Sequence, residues 1–166
     1  IEGEPQQYWC GVISARALLL TTGAAAGGAF AHKTKPLIFN VFQYANLLKT
    51  QPNKAFFWSG KTDGVGGEKR ASDIANNLGG HTLEDIIKNK SIDMPKYAHN
   101  PRAWEDASLI YAQQAEGEVR AVLGNYVRPD SVWLRIELPA LMGNLNVTKI
   151  IKIDPETLAE EIIFTR

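Results

Sequence analysis

Five polar side chains stand out against the aromatic residues around them: Ser59, Glu84, Asp85, Asp93 and Glu137, set among Trp58, Trp104 and Trp133. Carboxylates act as general acids, general bases or electrostatic stabilisers of developing positive charge. A tryptophan face attracts a cation, so indoles and carboxylates together suit a positively charged ligand. Each residue also has a structural reading. Glu137 lies in the alternating run Val132-Trp133-Leu134-Arg135-Ile136-Glu137-Leu138, where composition alone makes it part of a solvated strand face. Asp85 follows Thr82 by three residues, the spacing of a capping box with Asp in place of Glu. The tryptophans have the ordinary role of filling a core.

The elements that must position these residues follow from patterning. Leu37 to Leu48 has mixed helical spacing and ends before Gln51-Pro52-Asn53. Ala55-Phe56-Phe57-Trp58 has strand or buried-turn character and opens into the Gly-rich stretch Ser59 to Gly67, a common way to present side chains to a ligand. Ala71, Ile74, Ala75 and Leu78 repeat at three and four, which predicts a helix from Glu68 stopped by Gly79-Gly80. Thr82 caps the next helix. Asn100-Pro101 precedes a longer one running through Trp104, Ala107, Ser108, Tyr111, Ala112 and Ala115 to Gly117. Beyond it the pattern turns extended: Val119 to Leu123, Ser131 to Leu138 and Val147 to Ile153 read as three strands. Glu156 to Phe164 reads as a short helix that frays or pairs as a sheet edge. The expected class is α/β, a helical lobe joined to a small α/β lobe with a short, largely parallel sheet.

Composition narrows the function. The 166 residues are 45% hydrophobic and 22% charged, enough for a core in one domain and too apolar for a solvated disordered tail. Eighteen basic residues balance eighteen acidic ones, which argues against a nucleic-acid partner. The single cysteine, Cys10, closes no intramolecular disulfide, and His32, His81 and His99 lack metal-ligand spacing, so no metal is expected. Gly11 to Ala31 is small and apolar but interrupted by Arg16, and its uncharged run falls short of a bilayer span; it reads as a buried or loosely packed helix, with a transient membrane contact during delivery as the alternative. A start at Ile1-Glu2-Gly3-Glu4 without Met implies a piece of a longer chain, and Glu2 and Glu4 disfavour a signal peptide.

Four ordered blocks carry a resemblance. Phe57-Trp58-Ser59-Gly60, Thr82-Leu83-Glu84-Asp85, the Asn100-Pro101 helix with Trp104, Ser108, Tyr111, Ala112 and Ala115, and Ile136-Glu137 after the strand Val119 to Gly124 together resemble the ADP-ribosyl cyclase and NAD glycohydrolase family over roughly Ala55 to Leu138. The resemblance implies that Glu137 is the catalytic glutamate, that Trp58 and Trp104 are the pocket tryptophans, and that Glu84 tunes hydrolysis against cyclisation. It places Asp93 as an acidic pocket residue, Asp85 beside the substrate and Ser59 on the phosphate side. Gly60 stands where the family usually has Arg, and Val132-Trp133 stand for a Thr-Phe pair. Lys61 or the amides of Gly64 to Gly67 are then the candidates for holding the pyrophosphate.

On that resemblance, the implied activity is NAD(P)+ glycohydrolysis, with NAD+ or NADP+ as substrate rather than cofactor. ADP-ribosyl cyclisation, ADP-ribosyl transfer and non-catalytic nucleotide binding are the alternatives. The family's animal members are disulfide-rich, so a chain with one cysteine resembles a bacterial branch of toxin domains of the contact-dependent inhibition type. A secreted or surface-delivered effector acting in the target-cell cytoplasm, and a cognate immunity protein as partner, are the corresponding expectations. Residues 1–166 are expected to form a single catalytic domain, in which 1–35 are a helical segment or one used for passage into the target cell and 36–166 the two-lobed core.

Overall fold

The computed structural model of the chain describes residues 39–166; the readings of residues 1–35 and of Gly11 to Ala31 lie outside them. The organising element is a five-stranded sheet. Four of its strands are parallel: β1 (Ala55–Ser59), β4 (His81–Thr82), β5 (Gly117–Leu123) and β6 (Val147–Ile153). The last, β7 (Glu160–Thr165), pairs antiparallel with β6, and the order across the sheet is β4-β1-β5-β6-β7. β1 therefore lies between β4 and β5, with Phe56 opposite both Thr82 and Arg120.

The helices divide between the faces as right-handed crossovers require, because the chain first steps one way from β1 to β4 and then back past β1 to β5 and β6. Helix α1 (Glu68–Asn77) lies on one face, where Ala71, Ile74 and Ala75 pack with Phe56, Val122 and Ile153. Helices α2 (Leu83–Asn89), α3 (Pro101–Gln113) and α4 (Leu138–Gly143) cover the other, whose core contains Phe57, Ile86, Tyr111, Ala121, Leu141 and Ile150. The short 3-10 helix Val41–Leu47 packs on the same side. Among the described residues no helix is long and apolar enough to cross a membrane. The expected α/β class with a largely parallel sheet is the one observed.

The Gly-rich stretch is a hairpin, β2 (Lys61–Thr62) against β3 (Val65–Gly66). Asp63 and Gly64 both take positive φ at its tip, +48° and +85°, as a two-residue turn matched to strand twist demands. The hairpin presses onto the end of β5: a Cβ on Gly124 would meet the Lys61 backbone at 2.2 Å. The Thr62 hydroxyl donates to Asp154 at 2.7 Å and accepts from the Asn125 amide at 3.0 Å, fixing the hairpin over the carboxyl ends of the strands. Amides of Thr157 and Glu156 add to that hydroxyl and hold the Asp154 carboxyl at about 2, below its ordinary range.

Three local expectations are corrected. Ser131 to Leu138 is not a strand but a π-helical turn, Trp133–Glu137, continuing into α4. Pro139 supplies the cause: it has no N–H to bond the Arg135 carbonyl and its ring crowds that carbonyl, so the turn before it widens. The Leu138 amide accordingly reaches back to the Trp133 carbonyl. Residues Leu37 to Leu48 yield only the 3-10 helix among those described. Glu156 to Phe164 forms no helix; Asp154 gathers a tight turn, and the chain then pairs as the sheet edge, the second of the two readings.

Tyr111, 1% exposed, ties α3 to the sheet. Its hydroxyl donates to the His81 carbonyl at 2.6 Å and accepts from the Phe56 amide at 3.1 Å, while its ring lies 4.8 Å from that of Phe57. Replacing Tyr111 with Phe keeps the ring and strands both backbone groups in the core, where an unmade hydrogen bond costs roughly 1–3 kcal/mol. Urea unfolding of Tyr111→Phe should show a loss of that size with an unchanged slope; an unchanged midpoint would show that the hydroxyl does not join the elements.

Candidate active site

Parallel strands point their carboxyl ends at one rim, and ligands bind there in open α/β sheets where the chain reverses its stepping direction. Here that place is the junction of β1 with β5. β1 delivers Trp58 and Ser59 to the rim, and β4 ends at Thr82, where α2 begins with Glu84 in its first turn. The capping box is formed: the Thr82 hydroxyl accepts from the Asp85 amide at 3.2 Å, and the Asp85 carboxylate accepts from the Thr82 amide at 3.0 Å. The other Asp85 oxygen accepts from the Ser72 hydroxyl at 2.5 Å. Asp85 is thus engaged within the fold, tying α2 to α1, while its neighbour Glu84 faces the rim.

The Trp58 indole N–H donates to Glu84 at 3.1 Å, a bond that orients the ring and the carboxylate together. Burial raises the Glu84 pKa above its ordinary value, with the nearby Glu68 charge acting in the same direction. Trp104 on α3 is half-buried and donates to the Pro95 carbonyl at 2.7 Å. Ser108, one turn further along the same face of α3, sets its hydroxyl beside Glu137, where it favours the charged form.

Glu137 ends the π-helical turn with only 8% of its surface exposed. Its burial is the main reason that its pKa rises from 4.5 to about 8; repulsion from Glu84 adds to the rise, and the Ser108 hydroxyl opposes it. Composition alone placed this side chain on a solvated strand face. In the helix, Trp133, Glu137 and Leu141 fall at intervals of four and all point inward, and the Trp133 ring packs 6.0 Å from Phe57.

The structure therefore brings together Trp58, Glu84, Glu137 and, through Ser108, the face of α3 that carries Trp104. Ser59 is buried and, two residues after Phe57, shares its face of the sheet. Lys61 is exposed on the hairpin, and Asp93 is exposed on the segment between α2 and α3. Ser108 is the site residue to which the sequence reading gave no role; its four-residue spacing from Trp104 was the available signal. Among the described residues no three His, Cys, Asp or Glu side chains converge as a metal site.

No family model and no curated protein matches the chain. Solved structures do. An Aplysia cyclase complexed with the substrate NGD and the product cGDPR shares 27% identity over 64% of this chain and 50% of its own, with a TM-score of 0.49. An ADP-ribosyl cyclase complexed with N1-cIDPR shares 27% identity over 70% of this chain and 55% of its own, with a TM-score of 0.50. The fold is ADP-ribosyl cyclase-like. A glutamate-to-alanine mutant of ADP-ribosyl cyclase is similar at 28% identity, over 70% and 55% of the two chains, with a TM-score of 0.48. The chain spans about half the length of these cyclases.

A carboxyl whose pKa rises on folding makes the folded state hold a proton that the unfolded chain releases. Between pH 4.5 and about 8 the folded protein binds more protons at Glu137 than the unfolded one, so this group's contribution to stability falls as pH rises through that window. Glu137→Gln removes the ionisation and keeps the shape. The variant should unfold at a higher temperature than wild type at pH 8, with the difference shrinking toward pH 4.5. A gap independent of pH would show that Glu137 is not the buried acid described.

Proposed function

We propose that the chain is an NAD(P)+ glycohydrolase that releases nicotinamide and ADP-ribose. The observation that carries the reading is the buried Glu137 carboxyl, with the Ser108 hydroxyl beside it and the Glu84 charge acting on it, at the strand rim of a cyclase-like fold. The pyridinium of NAD+ is cationic, and a buried and a half-buried carboxyl with a tryptophan bonded to one of them suit such a group. Trp58 or Trp104 stacks on the ring, an attraction worth ~0.5–2 kcal/mol, and the incoming charge favours ionisation of Glu137. Departure of nicotinamide takes the C1′–N electron pair with it, so the leaving group becomes neutral and the positive charge passes to the ribose. Glu137 stabilises that oxocarbenium-like centre, as carboxylates do in glycoside cleavage. Water then attacks C1′ and loses a proton to a carboxylate, for which Glu84 is placed; Glu84 also orients the carboxamide. Ser59, with Lys61 or the hairpin amides, takes the pyrophosphate, and Asp93 adds negative charge outside.

Cyclisation is the second reading, favoured by the cyclic products bound in the similar cyclases. In that outcome the adenine, not water, captures C1′. Delivery as a toxin effector into a target-cell cytoplasm, NAD depletion there and a cognate immunity protein over the pocket extend the proposal. Their support is the contrast between one cysteine in 166 residues and the disulfide-rich animal members of the family that the motifs resemble.

The deciding experiment follows nicotinamide release from NAD+. Wild type should turn over, and Glu137→Gln should lose on the order of 10²-fold or more in kcat, the scale for removing one electrostatic stabiliser. Because kcat/KM reports the free enzyme, it should climb with pH toward a midpoint near the Glu137 value of about 8. Equal inertness of the two proteins defeats the reading. Cyclic ADP-ribose as the main product would favour cyclisation, label transferred to protein a transferase, and ADP-ribose binding without turnover a non-catalytic domain.

A further inference from the structure

Two side-chain contacts join α3 to the π-helical turn, and only the inner one, Ser108 with Glu137, belongs to the site already described. In the outer one, Arg135 Nη2 donates to Glu105 at 2.6 Å. Arg135 also donates through Nε to the Asp130 carbonyl at 2.8 Å, which anchors the guanidinium to the chain entering the turn. Glu105 precedes Ser108 by three residues on α3, and positions i and i+3 of a helix are neighbours on its surface. Arg135 precedes Glu137 by two in the turn. The contacts thus form two rungs between the same elements, one open to water and one buried.

The outer rung contributes little as a stability device. Its side chains are 28% and 45% exposed, and water screens exposed ion pairs. Its location is what sets it apart. Pro139 withdraws one backbone bond from the wide turn, so side chains share in fixing the turn's rotation, with Trp133 in the core on one side and Arg135 bonded to Glu105 on the other. Rolling the turn about its axis would carry Glu137 off Ser108, and misplacement by about 1 Å costs roughly 10²-fold in rate where geometry governs reaction.

We propose that the Glu105–Arg135 pair is a positioning device, which holds the π-helical turn in the rotation that sets the Glu137 carboxyl on Ser108 and opposite Glu84. Neither residue touches the substrate; both act through Glu137. The kinetic consequence rests on the proposed glycohydrolase reading, whereas the placement of Glu137 does not.

Two readouts on the full chain test it. Glu105→Gln and Arg135→Gln are compared with the charge-swapped double variant, Glu105→Arg with Arg135→Glu. The first readout is the protonation midpoint of Glu137, followed by NMR of its 13C-labelled carboxyl without substrate. The second is kcat and KM for nicotinamide release. Each single variant should stay folded with an unfolding temperature close to wild type, move the Glu137 midpoint down toward the ordinary glutamate range as water reaches the carboxyl, and lose on the order of tenfold in kcat with KM within about twofold. The swapped pair should recover part of both changes. Singles that keep the wild-type midpoint overturn the proposal, as does a swap that restores neither readout. If wild type does not cleave NAD+, the functional reading fails by itself, and the NMR midpoint still decides the positioning role.

Discussion

A carboxyl group kept out of water is the constraint around which the site is arranged. Glu137 would ionise near pH 4.5 in solvent; enclosed by α3, the π-helical turn and the strand rim, it keeps its proton to about pH 8. A hydrophobic residue of the same volume would impose no such penalty on the fold. The Ser108 hydroxyl favours the ionised acid, and the charge of Glu84 opposes its ionisation. Such a pair is poorly satisfied by itself and well satisfied by a cation, which is what a binding site for a positively charged ligand requires.

The surrounding fold keeps that arrangement rigid. Tyr111 locks α3 to β1 and β4 by hydrogen-bonding backbone groups of both strands, so the helix that carries Trp104 and Ser108 has no freedom to slide over the sheet. At the same C-terminal end of α3, Asn144 donates to the Ala112 and Ala115 carbonyls, satisfying groups left over at the helix terminus. The hairpin is pinned through Thr62, Asn125 and Asp154. The hairpin connection lies at the carboxyl-end rim, whereas Tyr111 and Asn144 brace the amino ends of the strands.

Much of this was legible in the sequence, for reasons that differ by element. The Thr82–Asp85 box, the helix after Asn100-Pro101 and the Ala71-Ile74-Ala75-Leu78 period are local signals, and local hydrogen bonding decides them. The strands at Ala55, Val119 and Val147 are short segments rich in β-branched and aromatic residues, with buried positions on both faces as parallel strands have. The run Val132 to Leu138 misled because its alternation mimics a strand; the competing signals were the four-residue spacing of Trp133, Glu137 and Leu141 and the proline at 139. Asp63-Gly64 was likewise a hairpin signal within what reads as a loop. The burial of Glu137 was not legible from patterning, because a glutamate inside an apolar run looks solvated until the helix turns it inward. The resemblance carried by ordered motifs singled out Glu137 as a site residue without indicating its burial.

Those motifs also separate residues that sequence proximity joins. Glu84 and Asp85 are adjacent acids in one turn, yet Asp85 spends both oxygens on Thr82 and Ser72, whereas Glu84 accepts from the Trp58 indole N–H and its charge acts on Glu137. The two carboxyls left at the rim differ in a way that suits different tasks. Glu137 is the more deeply buried, where an electrostatic interaction with developing positive charge is strongest. Glu84 is only half-buried, so it can exchange protons with solvent more readily. On the proposed reading, the first stabilises the ribose cation and the second governs what captures it. On the same reading, the choice between water and adenine turns on how Trp58 holds Glu84, since that hydrogen bond orients the carboxylate.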